Sequence, residues 1–115
     1  MIYYLLVLHW LADFVFQTDK MAKGKSSSLK WLSLHIVEYI TVLLVGSLIF
    51  GWKFAVYFSV LNGSAHFVID FFTSKLSTHF HKKGAIHNFF VVIGFDQLLH
   101  TGCLIYTFNF LEQLK

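Results

Sequence analysis

At 115 residues the chain is one domain's worth; 57% of it is hydrophobic and only 13% is charged. Typical globular chains run at about 45–50% and about 25%, so there is too little charge here for the polar shell of a small soluble domain. A single cysteine, Cys103, and the lack of proline exclude a disulfide scaffold and a collagen-like chain, and the apolar content excludes disorder. What remains is an all-α integral membrane protein. The formal charge of +3 comes from nine lysines without one arginine. Nucleic-acid surfaces normally use arginine forks on a soluble face, so the expected partner is membrane lipid, with no nucleic acid.

Four apolar stretches follow in order, predicting a single four-span transmembrane domain over residues 1–115 with spans at about 2–17, 31–50, 54–74 and 88–111. A membrane-crossing helix needs about 20 residues. The first stretch is short, and Lys20-Met21-Ala22 offers a continuation. Met1-Ile2-Tyr3-Tyr4 has no basic region and no small-residue cleavage site follows, so a cleaved signal peptide is not expected. Tyr3, Tyr4, Trp31, Trp52 and Tyr57 sit at span ends, as interfacial anchors do.

The connections are Thr18–Lys30, a tight Gly51-Trp52-Lys53 turn, and Lys75–His87. The first and third carry Lys20, Lys23, Lys25, Lys30, Lys75, Lys82 and Lys83, while the other side has Lys53 and Lys115. The positive-inside rule therefore predicts cytoplasmic Lys-rich loops and both termini outside, in a bacterial cytoplasmic (inner) membrane. His79, His81 and His87 read as solvated loop or interface residues, and Cys103 as inert packing in an apolar turn.

Each span also carries polar residues at helical spacing. Span one has His9, Asp13 and Gln17; span two His35 and Glu38; span three Asn62, His66 and Asp70; span four Asp96, Gln97 and His100. Spacings of three and four residues put each set on one helix face. Counted from the Lys-rich side, the ionisable members fall at roughly 6–18 Å depth, so four stripes converge on one site. Unpaired, Asp13, Glu38, Asp70 and Asp96 would cost on the order of 10 kcal/mol in a membrane. Protonated histidines or divalent cations would cancel them. His9-x3-Asp13-Phe14 recurs as His66-x3-Asp70-Phe71, suggesting two repeated helix pairs in a four-helix bundle. Gly63, Ser64 and Ala65 read as a close helix approach. No phosphate-binding glycine loop, Gly-x-Ser-x-Gly or His-Glu-x-x-His is present.

The motifs His9-x3-Asp13-Phe14-x2-Gln17, Lys20-Met21-Ala22-Lys23, His35 with Tyr39, Asn62-x3-His66-x3-Asp70 and Asp96-Gln97-x2-His100 span nearly the whole chain. At these residues it resembles the small bacterial and phage-associated membrane proteins of the "domain of unknown function 3307" family. The resemblance implies a four-helix membrane protein and no established activity. A looser analogy, of pattern only, is to metal-dependent hydrolases of membranes, which also carry intramembrane His and Asp.

Three functions follow from the stripes. In the first, His9, Asp13, His66, Asp70, Asp96 and His100 hold a divalent zinc, manganese or iron ion open to the cytoplasm or orient its ligands. His35, Asn62, Gln17 and Gln97 support them, and Glu38 is the candidate general base of a hydrolase acting on a lipid-like or phosphorylated substrate. The second is a metal-ion or proton transporter or channel, which at this size requires a homo-oligomer. The third is a non-catalytic membrane subunit whose polar core holds the bundle together.

Overall fold

The computed structural model describes all residues 1–115, and the chain is all-helical with no strand. Helix α1 (Ile2–Trp10) runs directly into a π turn over Leu11–Val15, closed by a 2.9 Å bond from the Phe16 N–H to the Leu11 carbonyl. Thr18 then leaves helical geometry, and its hydroxyl accepts from the Met21 N–H at 3.2 Å. This side-chain cap starts a separate helix, α2 (Asp19–Gly24), so Lys20-Met21-Ala22 does not prolong the first span.

Helix α3 (Leu29–Ser47) tightens into a 3-10 turn over Leu48–Phe50, and Gly51, at φ +106°, reverses the chain into α4 (Trp52–Lys82). That positive φ suits glycine. The 31 residues of α4 overrun the end expected at Ser74 because neither glycine nor proline interrupts residues 64–83. Gly84, at φ +72°, ends the run, and the Ala85 and Gly84 N–H groups bond back to the Phe80 and His81 carbonyls at 3.0 and 3.1 Å. His79 and His81, expected in a loop, therefore lie on the last turns of α4. His87 is exposed on the first turn of α5 (Ile86–Gln113), and Cys103 is in the middle of that helix, not in a turn.

Central in the fold, α4 has α3 on one side and α5 on the other; α1 lies across α3 and α5, and α2 rests on α3 alone. Gly63 makes the α3–α4 approach close: a Cβ there would run into the side chain of Ile40. Leu5, Leu8, Leu43, Phe54, Phe58 and Phe108 belong to a buried apolar cluster toward the Gly51 end. Phe54 and Phe58 stack at 5.4 Å between centroids, with Phe108 edge-on to Phe54 at 5.5 Å. Residues Leu29–Phe50, Trp52–Lys82 and Ile86–Gln113 are long and apolar enough to cross a membrane, whereas Ile2–Val15 is apolar but shorter. Large apolar side chains such as Ile49, Leu98 and Tyr106 stand on the outer surface. Toward the Lys-rich end, between α1, α3, α4 and α5, the interior turns polar.

Candidate metal centre

His35, His66 and Asp70 are at most 1% exposed and Asp13 is 3% exposed, so burial forces their polar atoms to find partners within the protein. They find chiefly one another. His35 Nε2 lies 3.1 Å from Asp13 Oδ1, 3.1 Å from His66 Nε2 and 3.6 Å from Asp70 Oδ2. His66 Nε2 lies 3.4 Å from Asp13 Oδ1 and 3.2 Å from Asp70 Oδ2. These four atoms come from three segments: the π turn, α3 and α4. A tetrahedral ion with bonds of about 2.0–2.1 Å has ligand–ligand edges of about 3.3–3.4 Å, and the observed separations bracket that figure. Hydrogen bonding alone serves this arrangement poorly. Each Nε2 carries at most one hydrogen and an ionised carboxylate carries none, too few for all the close approaches.

Rings and carboxylates around the four atoms hold them in place. The His66 ring is sandwiched between His100, stacked at 3.8 Å, and Tyr39, at 4.0 Å between centroids. His100 Nε2 reaches Asp70 Oδ1 at 3.1 Å and Asp96 Oδ1 at 3.2 Å. The Thr73 hydroxyl donates to Asp96 Oδ1 at 2.5 Å, and Gln97 Nε2 to Asp96 Oδ2 and Asp13 Oδ2, both at 3.0 Å. Asp13, Asp96 and His100 thus form a second group close enough to share an ion. Its carboxylates already have hydrogen-bond donors in Thr73 and Gln97.

His9 belongs to neither group. Its Nε2 meets Gln97 Oε1 at 2.8 Å and its Nδ1 meets the Tyr39 hydroxyl at 3.0 Å. The amide oxygen only accepts, so Nε2 carries the proton and Nδ1 accepts from Tyr39. The two His-x3-Asp motifs are therefore not equivalent. In the regular helix α4, His66 Nε2 and Asp70 Oδ2 come to 3.2 Å, whereas His9 Nε2 and Asp13 Oδ2 stay 3.6 Å apart because the π turn rotates Asp13 away.

Three further residues expected at the site stand behind it. Glu38 Oε2 lies 3.3 Å from His35 Nδ1, on the side of the ring away from the cluster, and is out of line to accept its hydrogen. Asn62, one turn from His66, donates to the Phe58 carbonyl and to Thr107 Oγ1, both at 2.8 Å. Gln17 donates to the Asp13 carbonyl at 3.0 Å and so braces the π turn.

Lys25, which in the sequence is one loop lysine among several, turns inward: its Nζ lies 2.9 Å from Asp70 Oδ2. Burial pushes the ammonium pKa down, but the carboxylates of Asp70 and Asp13 outweigh it and hold Lys25 above the ordinary lysine range. Nothing in the spacing of Lys20, Lys23, Lys25 and Lys30 distinguishes it. Thr73 had a signal, since it lies three residues beyond Asp70 on the same face of α4.

A cleft of about 290 Å³ opens onto this cluster at Asp13, Asp70 and Asp96. Lys25, Thr73, Ser74, Ser77 and Thr78 supply its polar wall, and Phe14, Phe89, Val92 and Ile93 its apolar wall. Glu38 does not line it, so a base acting from Glu38 on a ligand in the cleft has no geometric support.

No curated protein and no solved structure matches the sequence. The family model described as "Protein of unknown function (DUF3307)" matches residues 1–115, so a helical fold around a buried His/Asp cluster is the structure of a member of the DUF3307 family.

Proposed function

We propose that this protein is a four-span bundle of the bacterial inner membrane that binds one divalent metal ion through Asp13, His35, His66 and Asp70 and uses it for hydrolysis. The observation that carries the reading is the set of four buried ligand atoms, five of whose six separations fall between 3.1 and 3.6 Å. His35, expected as a supporting residue, becomes a ligand, while His9, His100 and Asp96 become partners that orient the ligands. With neutral imidazoles, Asp13, Asp70, Asp96 and Glu38 against Lys25 leave three net negative charges, so the cluster calls for cationic charge and one divalent ion supplies two of the three. All four ligands come from one chain, so no second copy is required. Mixed nitrogen and oxygen ligands suit zinc, manganese or iron.

The ion would supply Lewis-acid activation of a substrate oxygen and of water. The chain's own residues do the rest. Gln97 fixes Asp13 through its outer oxygen, and His100 does the same for Asp70. Glu38 stands behind the His35 ring, its Oε2 3.3 Å from Nδ1, as a carboxylate that can steady the ring electrostatically. Asp96 lines the cleft and is the carboxylate placed to accept a proton from attacking water. The apolar layer at Leu43, Phe54, Phe58 and Phe108 closes the bundle beyond the cluster, favouring a dead-ended site over a conduit.

Elemental analysis of protein purified in detergent without chelator tests the metal. We expect one transition-metal equivalent, lost in His66→Ala/Asp70→Ala; metal-free wild-type protein overturns the reading. The hydrolytic half is tested by p-nitrophenyl phosphate turnover, which Asp96→Asn should lower by about 10²–10⁴-fold with metal retained. Equal turnover in the two proteins removes Asp96 as the base.

A further inference from the structure

The cleft is larger and less polar than a cation path needs. One water occupies about 10–15 Å³ by the measure that gives this cleft about 290 Å³. A bare ion also has no use for walls of Phe14, Phe89 and Ile93. An organic ligand with a polar end and an apolar end does.

Alongside Asp13, Asp70 and Asp96, whose charges the proposed divalent ion and Lys25 would offset, the polar end of the cleft holds two groups suited to an anion. Ser74 is 7% exposed and lines the cleft, and its hydroxyl, covered by protein in the rotamer seen, has no hydrogen-bond partner and needs a χ1 rotation to meet a ligand. A buried hydroxyl left this way is unfavourable unless a ligand completes it. Lys25 lines the same wall, with its ammonium on Asp70 Oδ2 beside the proposed ion. Cation, ammonium and hydroxyl donor together match a phosphoryl group.

The apolar end has a way out. Residues 11–15 pack on α1 and α3, α2 packs on α3, and α5 packs on α1 and α4, so the backbones of residues 11–24 and α5 stay apart, with Gln97 on Asp13 bridging that lateral gap at its inner end. Phe14 lies at this gap, exposed on the outer surface. In the proposed membrane orientation the gap faces the inner-leaflet lipid near its headgroups.

The geometry points to the phosphorylated headgroup of a membrane lipid as the occupant of the cleft, bound by Ser74, Lys25 and the metal, with its chains leaving between residues 11–24 and α5. This inference rests on the proposed metal centre and names the substrate class of that site. A phosphate ester free in water presents the same headgroup chemistry without the chains, and a set of four probes separates the two.

The experiment is equilibrium binding to full-length protein in detergent, with metal content measured on the same preparation. The probes are dioctanoyl phosphatidate, dioctanoylglycerol, glycerol 3-phosphate and inorganic phosphate. Dioctanoyl phosphatidate should bind at least about tenfold more tightly than each of the other three, and Ser74→Ala and Lys25→Met should each weaken it by about tenfold. Lys25→Arg, which keeps the charge if the loop tolerates it, should recover part of the loss. Dioctanoylglycerol binding as tightly as phosphatidate overturns the phosphoryl reading. Glycerol 3-phosphate binding as tightly overturns the lipid. Unchanged binding in both Ser74→Ala and Lys25→Met overturns the assigned contacts. Metal-loaded protein that binds no probe overturns this inference and leaves the metal centre standing; protein without metal overturns the centre itself.

Discussion

Tyr39 and Glu38 sit on α3 beside His35, each touching a histidine, and they should respond differently to substitution. The Tyr39 hydroxyl donates to His9 Nδ1 and its ring covers His66. Tyr39→Phe keeps the ring and strips a buried nitrogen of its donor, so stability should fall by about 1–3 kcal/mol while metal stays bound. Unfolding in detergent, beside elemental analysis, checks both halves. Glu38 touches His35 from the side away from the cluster. As an orienting carboxylate, its removal in Glu38→Ala should weaken metal binding by about 10–100-fold, read by chelator competition. An unchanged affinity would detach Glu38 from the centre.

At the scale of the helix, Gly63 and Gly94 make a matched pair. A methyl at Gly63 meets the stiff side chain of Ile40, while one at Gly94 meets open space. Gly63→Ala should destabilise by about 1–3 kcal/mol and, by parting α3 from α4, separate His35 from His66. Gly94→Ala should be neutral or stabilising. Thermal unfolding with metal content as a second readout compares them. The helices themselves are legible in the sequence, because long apolar runs without proline leave few alternatives. His66 and Asp70 are legible as well, since four-residue spacing in a regular helix brings them together on one face. Where the backbone departs from the α-helix, that logic breaks. His9 and Asp13 have the same spacing, but a π turn that Leu11-Ala12-Asp13-Phe14-Val15 does not announce begins between them, and they stay 3.6 Å apart against 3.2 Å for His66 and Asp70. Lys25 is illegible for another reason: its inward turn depends on the α2–α3 connection, and the neighbouring lysines have the same chemistry.

For the molecule as a whole, polarity is segregated along the axis. An aromatic and aliphatic layer fills the Gly51 end, while the His/Asp cluster and its cleft face the Lys-rich end. The proposed orientation puts that end in the cytoplasm. On a Cys103→Ser background, Ser27→Cys should be labelled by a membrane-impermeant maleimide only after spheroplasts are opened, and Gln113→Cys before. The reverse pattern inverts the topology and turns the cleft toward the outer leaflet.

The π turn also makes residue number matter. An α-helix over the same stretch would need one residue fewer, so Leu11–Val15 acts as a built-in insertion that sets the angular phase of Asp13 against every ligand on the other helices. Point substitutions there alter one side chain; a one-residue deletion alters the phase of the whole first helix. Deleting Phe14 should therefore abolish metal binding although all four ligands remain in the chain. Deleting Lys83, in the turn before α5, should be absorbed without loss of metal, and elemental analysis of the two deletion variants compares them. The centre is specified by a count of residues as well as by their identities.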